Sequence, residues 1–147
     1  MDLAGDTAFM RRAIRLAKGR LGQTGANPAV GCVVVRRGIV VGEAATAPGG
    51  SPHAEEQALA SAGRNARGAE VFVTLEPCAS RSAGAMSCAD RLVEAGVTRV
   101  AIACANPHRL SAGAGPQRLR DAGVEVEEGL LAQEAAPLYR DFLAGLA

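Results

Sequence analysis

The sequence predicts an α/β fold, a three-layer α/β/α sandwich around a mixed central sheet of about five strands. Three observations carry that expectation. The runs VGCVVV and VAIACA are short, β-branched and apolar throughout, as strands buried on both faces require. After an opening hairpin, strands and amphipathic helices alternate along the chain, so helices cover the sheet from both sides. The 147 residues are 48% hydrophobic and 21% charged, which is one ordinary domain, 1–147, with its own core.

Each element has its own signal. Thr7 to Gly19 places Phe9, Ala13, Leu16 and Ala17 at helical spacing and Arg11, Arg12, Arg15 and Lys18 outward, with Asp6 as the N-cap and Gly19 as the stop. Gly22 to Pro28 is a turn-rich loop. Ala29 to Val35 is an apolar strand, and Arg-Arg-Gly turns the chain into a second strand, Ile39 to Gly42, making a buried hairpin. The loop from Ala47 to Pro52 delivers the chain to a helix over His53 to Ala62. Val71 to Leu75 is the third strand, followed by a Cys78 to Cys88 loop and a helix over Ala89 to Ala95. Thr98 to Cys104 is the fourth strand, Pro116 to Ala122 a helix, and Val124 to Val126 a short fifth strand. Leu130 to Leu143 reads as a final helix, kinked at Pro137 or entering its last turn there.

Composition excludes several function classes. Lys and Arg number 16 against 15 Asp and Glu, a net charge of +1, so no polyanion-binding surface is indicated. Aromatic residues are 3% with no Trp, too few for reading single strands by stacking. A nucleic-acid partner is therefore not expected. No apolar run reaches membrane-spanning length, and MDLAGDTAFMRR lacks the hydrophobic region of a signal peptide. The expectation is a soluble, cytoplasmic chain with no membrane partner. Four cysteines in such a compartment are core thiols or metal ligands rather than a disulfide framework. Cys32 and Cys104 lie in strands and read as core. Cys78 and Cys88 lie in Gly/Ala/Ser-rich sequence, where burying a small hydrophobe gains little.

The chemistry gathers in three pieces: Pro52-His53-Ala54-Glu55, Glu76-Pro77-Cys78, and Cys88 ten positions on. One His and two Cys are ligand types that zinc prefers, and three protein ligands leave a fourth position open, as in a catalytic site. His53 falls at a predicted helix start and Cys88 begins another, where the helix dipole favours thiolate. Zinc so held lowers the pKa of water in the open position to about 7. Glu55, two residues past a ligand, can then shuttle protons without coordinating, the division of labour needed to replace the amino group of a ring amidine with oxygen. H-x-E and P-C are the elements of the zinc-deaminase signature. Alone, an HAE tripeptide occurs by chance and His53 could serve as a helix cap; a Cys78–Cys88 disulfide fits only an oxidising compartment. The order and the strand-to-helix placement of all three pieces favour the zinc site. Asn27 offers both a donor and an acceptor, suited to a pyrimidinone edge, though an Asn before Pro is also an ordinary turn residue.

The segments MRRAIRLA, NPAVGCVVV, GGSPHAEEQAL, VFVTLEPC, CADRLVEAGVTRVAIA and LRDAGVEVEEGL resemble the deaminase domain of the bifunctional riboflavin biosynthesis enzyme, within the cytidine-deaminase-like superfamily. The resemblance covers nearly the whole chain. It implies one zinc per chain on His53, Cys78 and Cys88, Glu55 as proton shuttle, and Asn27 hydrogen-bonding the pyrimidine. It also implies a cytidine-deaminase-like fold, a homo-oligomer, and a phosphoribosylamino-diaminopyrimidinone substrate converted to the aminouracil and ammonia. The reductase domain that usually follows in the family is not expected within 1–147; a standalone deaminase with a separate reductase as partner and a piece of a longer chain both fit.

The departures from that family cluster on the substrate side. The family's His seven residues before the zinc His is Thr46 here. The family's S-H-H-G-R-T-P-P between the cysteines is ASRSAGAMS here, one residue longer and without histidines, with Arg81 and Ser82 as replacement polar contacts. A D-P-N segment reads Asn106-Pro107-His108. A substrate phosphate needs cationic or N–H partners, for which Arg81, His108 and Arg109 are candidates beside ordinary surface roles. Three outcomes are open: the same substrate with remodelled contacts; another free base or nucleoside such as cytosine, cytidine or guanine; or a catalytically silent zinc scaffold, against which the intact Glu55 argues.

Overall fold

The computed structural model describes residues 3–79, 86–105 and 113–140. The sheet has five strands: β1 (Gly31–Arg36), β2 (Ile39–Ala45), β3 (Glu70–Leu75), β4 (Arg99–Cys104) and β5 (Glu125–Glu128). Their order is β2-β1-β3-β4-β5. β1 runs antiparallel to both β2 and β3, and β3, β4 and β5 are mutually parallel, so the sheet is mixed. The helices are α1 (Leu3–Lys18), α2 (Ala54–Ala62), α3 (Cys88–Ala95), α4 (Ala114–Asp121) and the single turn α5 (Ala132–Ala135).

Two glycines fix how closely the layers approach. A Cβ on Gly31 would lie 1.8 Å from the Ala13 carbonyl oxygen of α1. One on Gly42, which pairs with Val34, would lie 2.4 Å from the Ala58 oxygen of α2. Because side chains alternate along a strand, α1 covers one face and α2 the other. Arg11 of α1 pairs with Glu134 of α5, placing α5 on the first face, while α3 packs between α2 and α4 on the second. The core between the layers is Val33, Val34, Val71, Phe72, Val73, Val100 and Ile102, all buried.

Several elements differ from the expectation, each for a packing reason. The first helix starts at Leu3, and Asp6 is no cap: it lies within the first turn, buried, with its carboxylate held 2.8 Å from the Arg99 guanidinium. The buried stripe is Met10, Ala13, Ile14 and Ala17, which continues from Asp6 at helical spacing; Phe9 and Leu16 flank it and are half-buried, Phe9 against Phe72 at 5.4 Å between ring centroids. The hairpin is buried only on its inner strand. β2 runs on to Ala45 and forms a sheet edge with Ile39 exposed, while β1 is buried nearly throughout. Arg37 and Gly38 turn the hairpin with positive φ at both positions, the two-residue connection whose twist suits the strands. Cys32 is fully buried, but Cys104 sits half-buried at the end of β4 with its thiol toward the Ala132 carbonyl. The last helix starts at Ala132 and changes at Pro137 as expected: α5 passes at once into a 3-10 turn, Ala136–Tyr139, with Pro137 near its start; the remainder of that expected helix, from 141 on, lies outside the described residues.

No helix among the described residues is long and apolar enough to cross a membrane.

Candidate active site

The chain places its ligand candidates where three elements end together. α2 starts beside the carboxyl end of β3, and β3 leads through Glu76 and Pro77 to Cys78, which meets the first turn of α3. Parallel strands leave such a crevice beyond their carboxyl ends.

His53 is the residue before α2, in extended conformation, and its N–H donates to Glu56 Oε1 at 3.3 Å. Gln57 Nε2 donates to the Ala45 carbonyl at 2.8 Å and the Pro52 carbonyl at 3.0 Å, tying the helix start to the end of β2. Ser87 caps α3 by accepting the Asp90 N–H at 3.1 Å. That cap aims the next amides at Cys78: Cys88 N–H donates to its Sγ at 3.3 Å and Ala89 N–H to its carbonyl at 3.0 Å. His53 Nδ1 lies 3.3 Å from Cys88 Sγ. The ligand atoms of His53, Cys78 and Cys88 all lie within 4.8 Å of one another.

Electrostatics sharpen the donor set. The hydrogen bond from the Cys88 thiol pulls the Cys78 sulfur down to about 4, with His53 and the Cys88 amide helping against burial. The same bond, then burial and Glu55, push Cys88 far up. Glu55, on the first turn of α2, is buried at 5% exposure. Burial raises its carboxyl to about 7; the Cys78 charge adds to this, while its own amide, His53 and Cys88 oppose it. Cys32 lies beneath, its thiol raised well above the ordinary value by burial and by Glu55. One imidazole and two sulfurs, within 4.8 Å of one another, are a zinc donor set with a position to spare.

Beside the triad is a cavity of about 180 Å³ lined among others by Asn27, Thr46, His53, Glu55, Glu76 and Cys78. It is smaller than the roughly 300–1,000 Å³ of sites for drug-sized ligands and suits a single ring. Asn27 Nδ2 donates to the Gly50 carbonyl at 2.9 Å, leaving Oδ1 and a second N–H of the amide without partners among the described residues. Gly50 has φ 100°, and a Cβ there would come 2.6 Å from that same Nδ2, so only glycine lets the amide sit here. Thr46 lines the cavity, but its hydroxyl is engaged by backbone: it accepts the Val30 N–H at 2.9 Å and donates to the Pro28 carbonyl at 3.2 Å.

The structure thus gathers six of the predicted residues: Asn27, Thr46, His53, Glu55, Cys78 and Cys88. Arg81, Ser82 and His108, and with them Arg109, lie outside the described residues. One lining residue was missed from sequence. Glu76 is buried, and its Oε1 accepts the Gly113 N–H at 2.7 Å, anchoring the start of α4. The signal available was a carboxylate directly after an apolar strand, between it and the Pro-Cys ligand segment.

A larger cavity, about 770 Å³, opens at the opposite end of the sheet near Phe9, Phe72 and Arg99. The triad is the one His/Cys/Asp/Glu group suited to a metal among the described residues, and it is not there. Size does not locate the chemistry in this molecule.

Comparison with known proteins agrees with the geometry. The family model for the cytidine and deoxycytidylate deaminase zinc-binding region matches residues 4–104. The chain is 44% identical over 138 residues to the riboflavin biosynthesis protein RibD of Escherichia coli, covering 94% of this chain and 37% of that protein. It is 43% identical to the RibD of Aquifex aeolicus over 137 residues, 93% of this chain and 38% of the relative. Among solved structures, RibD of Acinetobacter baumannii superposes with a TM-score of 0.93 at 44% identity, over 99% of this chain and 41% of that one. The Thermotoga maritima diaminohydroxyphosphoribosylaminopyrimidine deaminase and 5-amino-6-(5-phosphoribosylamino)uracil reductase gives 0.90 at 38%, over 98% and 42%. The chain therefore spans about two fifths of the length of these relatives. Since the matched region runs from the first helix to the last residue of β4 and encloses the whole ligand triad, the chain belongs to the cytidine and deoxycytidylate deaminase zinc-binding family.

Proposed function

We propose that this chain is a zinc-dependent hydrolytic deaminase acting on 2,5-diamino-6-(phosphoribosylamino)pyrimidin-4-one in riboflavin biosynthesis. The observation that carries the reading is the meeting of a three-ligand metal set with a buried carboxyl, Glu55, and a partly free amide, Asn27, around one ring-sized cavity. The Thermotoga relative carries that deaminase activity in its name, and a reductase with it.

His53, Cys78 and Cys88 hold the zinc, which when bound activates a water and polarises its surroundings at neutral pH. Asn27 presents an acceptor and a donor to the pyrimidine edge and so fixes which ring carbon faces the metal. Glu55 starts the cycle as the base that takes a proton from the attacking water. It passes that proton to the ring nitrogen, then moves a second to the departing amino nitrogen. One water is consumed, one C–N bond breaks, one C=O forms, and ammonia leaves. A carboxyl poised near neutrality by burial both accepts and returns protons readily, as this relay requires. Glu76, by accepting the Gly113 N–H, holds the start of α4 beside the cavity.

In this reading Thr46, Arg81, Ser82 and His108 are the substrate contacts, and Arg81, His108 and Arg109 are the candidates for binding the substrate phosphate. The product is a substrate for reduction, which a separate or attached reductase supplies. The chain works in the cytoplasm as a homo-oligomer.

Ammonia release separates the candidates. Zinc-loaded protein is assayed with the phosphoribosylated diaminopyrimidinone and, in parallel, with cytosine, cytidine and guanine. Turnover confined to the first supports the proposal. Turnover only on a free base or nucleoside, or on none, overturns the substrate assignment, and Thr46 in place of the family's His is the first change to revisit.

A further inference from the structure

The stretch that delivers Asn27 to the cavity has an unusual way of satisfying its backbone. Ala29 and Val30 are buried but precede β1, so their polar groups lack a strand ladder. Side-chain hydroxyls, together with one backbone bond from Thr46, stand in for it. Thr46 takes Val30 N–H and the Pro28 carbonyl, while its own N–H donates to the Val30 carbonyl at 2.9 Å. On the other face, Gly31 N–H donates to Thr74 Oγ1 at 3.0 Å, and Tyr139 Oη donates to the Ala29 carbonyl at 3.0 Å. Thr74 Oγ1 and Tyr139 Oη are 2.6 Å apart. A phenol has a single proton, and Tyr139 spends it on Ala29; the Thr74 hydroxyl must therefore donate to the Tyr139 oxygen. The result is a directed relay, Gly31 to Thr74 to Tyr139 to Ala29, closed around the two residues that lead from Asn27 into the sheet.

Tyr139 is the sole tyrosine of the chain and is 2% exposed. It comes from the 3-10 turn after α5, 110 positions from Ala29 in sequence. It lines no part of the cavity described above and contacts none of the metal ligands through its hydroxyl. The motif reading of the sequence gave it no part.

We propose that Tyr139 is a positioning residue for substrate: directly at Ala29, and through Thr74 at Gly31, it holds the backbone of residues 29–31 so that the Asn27 amide meets the pyrimidine edge. The proposal rests on the aminopyrimidine deaminase reading above. It couples the carboxyl-terminal turn to recognition of the base and leaves metal binding and proton transfer alone.

The test is Tyr139→Phe, which keeps the packed ring and removes one hydroxyl, assayed with the phosphoribosylated diaminopyrimidinone. KM is expected to rise about fivefold with kcat within about twofold and zinc content unchanged. Thr74→Val should reproduce the rise and Thr74→Ser should not. In an Asn27→Ala background, Tyr139→Phe should add nothing to KM, because the amide it positions is gone. An unchanged KM, or a full additive effect in that background, overturns the proposal. Should wild type release no ammonia, the deaminase reading fails by itself, and amide hydrogen exchange then decides the role of Tyr139. Faster exchange at Val30 and Gly31 with the rest of the sheet unchanged supports it; unchanged exchange at those amides overturns it.

Discussion

At Cys78 the sulfur itself matters. It accepts the Cys88 N–H at the start of α3 and lies beside the Cys88 sulfur, so a hydroxyl of similar shape would find the same amide but lack the charge and softness that zinc needs. Cys78→Ser is therefore expected to abolish bound zinc, measured as metal per chain after gel filtration. Cys104→Ser, at a half-buried position that is not one of the triad's ligands, should retain wild-type metal content. Equal loss in both variants would mean that the triad is not the metal site. Thr46 makes a different point at this scale. From sequence it is a substrate contact; in the structure it lines the cavity while its hydroxyl accepts the Val30 N–H and donates to the Pro28 carbonyl, so it also holds the loop that carries Asn27.

Among the elements, α4 and the ligand-bearing segment are separated by a single glycine. A Cβ on Gly115 would lie 1.8 Å from the Pro77 carbonyl oxygen, and Pro77 precedes Cys78. Gly115→Ala must push α4 or that segment aside, costing about 1–3 kcal/mol as overpacking does. The expected result is a melting temperature lower by several degrees together with weaker zinc binding in a chelator competition. Gln117→Ala on the exposed side of the same helix is expected to stay within about 0.5 kcal/mol of wild type. The ligand segments were legible in the sequence because their chemistry is local: a His-x-Glu before a helix, a Pro-Cys after a strand, a Cys at a helix start. The strands of the sheet were legible because VGCVVV and VAIACA are apolar without interruption. What was not legible depends on contacts distant in sequence. Asp6 read as a cap until Arg99 of β4 claimed its carboxylate, and that choice rotated the buried stripe of α1 onto Met10 and Ile14. Tyr139 has no local pattern around it; its role exists only because the 3-10 turn after α5 returns to the start of β1.

For the whole molecule, structure and chemistry sit at opposite ends of the sheet. Arg99 begins β4 and joins α1 through Asp6, β3 through Glu70 at 2.5 Å, and β5 through Glu127. Asp6 is almost wholly buried, so Arg99→Met would strand a buried carboxylate and is expected to cost about 3–5 kcal/mol by denaturant titration. The triad lies beyond the other end of the neighbouring strand, and turnover per folded, zinc-loaded molecule should remain within about twofold. A wild-type stability curve for that variant would remove Arg99 from its place as the hub of this end. At the catalytic end, the account stands on the separation of metal binding, given to His53, Cys78 and Cys88, from proton transfer, given to Glu55. Glu55→Gln tests this most directly, since the amide keeps the size and the neighbours while losing the titrating carboxyl. Zinc per chain and ammonia release on the phosphoribosylated diaminopyrimidinone would be measured on one preparation. The account predicts wild-type zinc with turnover reduced by about 10²–10⁴. Full turnover with zinc in place would contradict it.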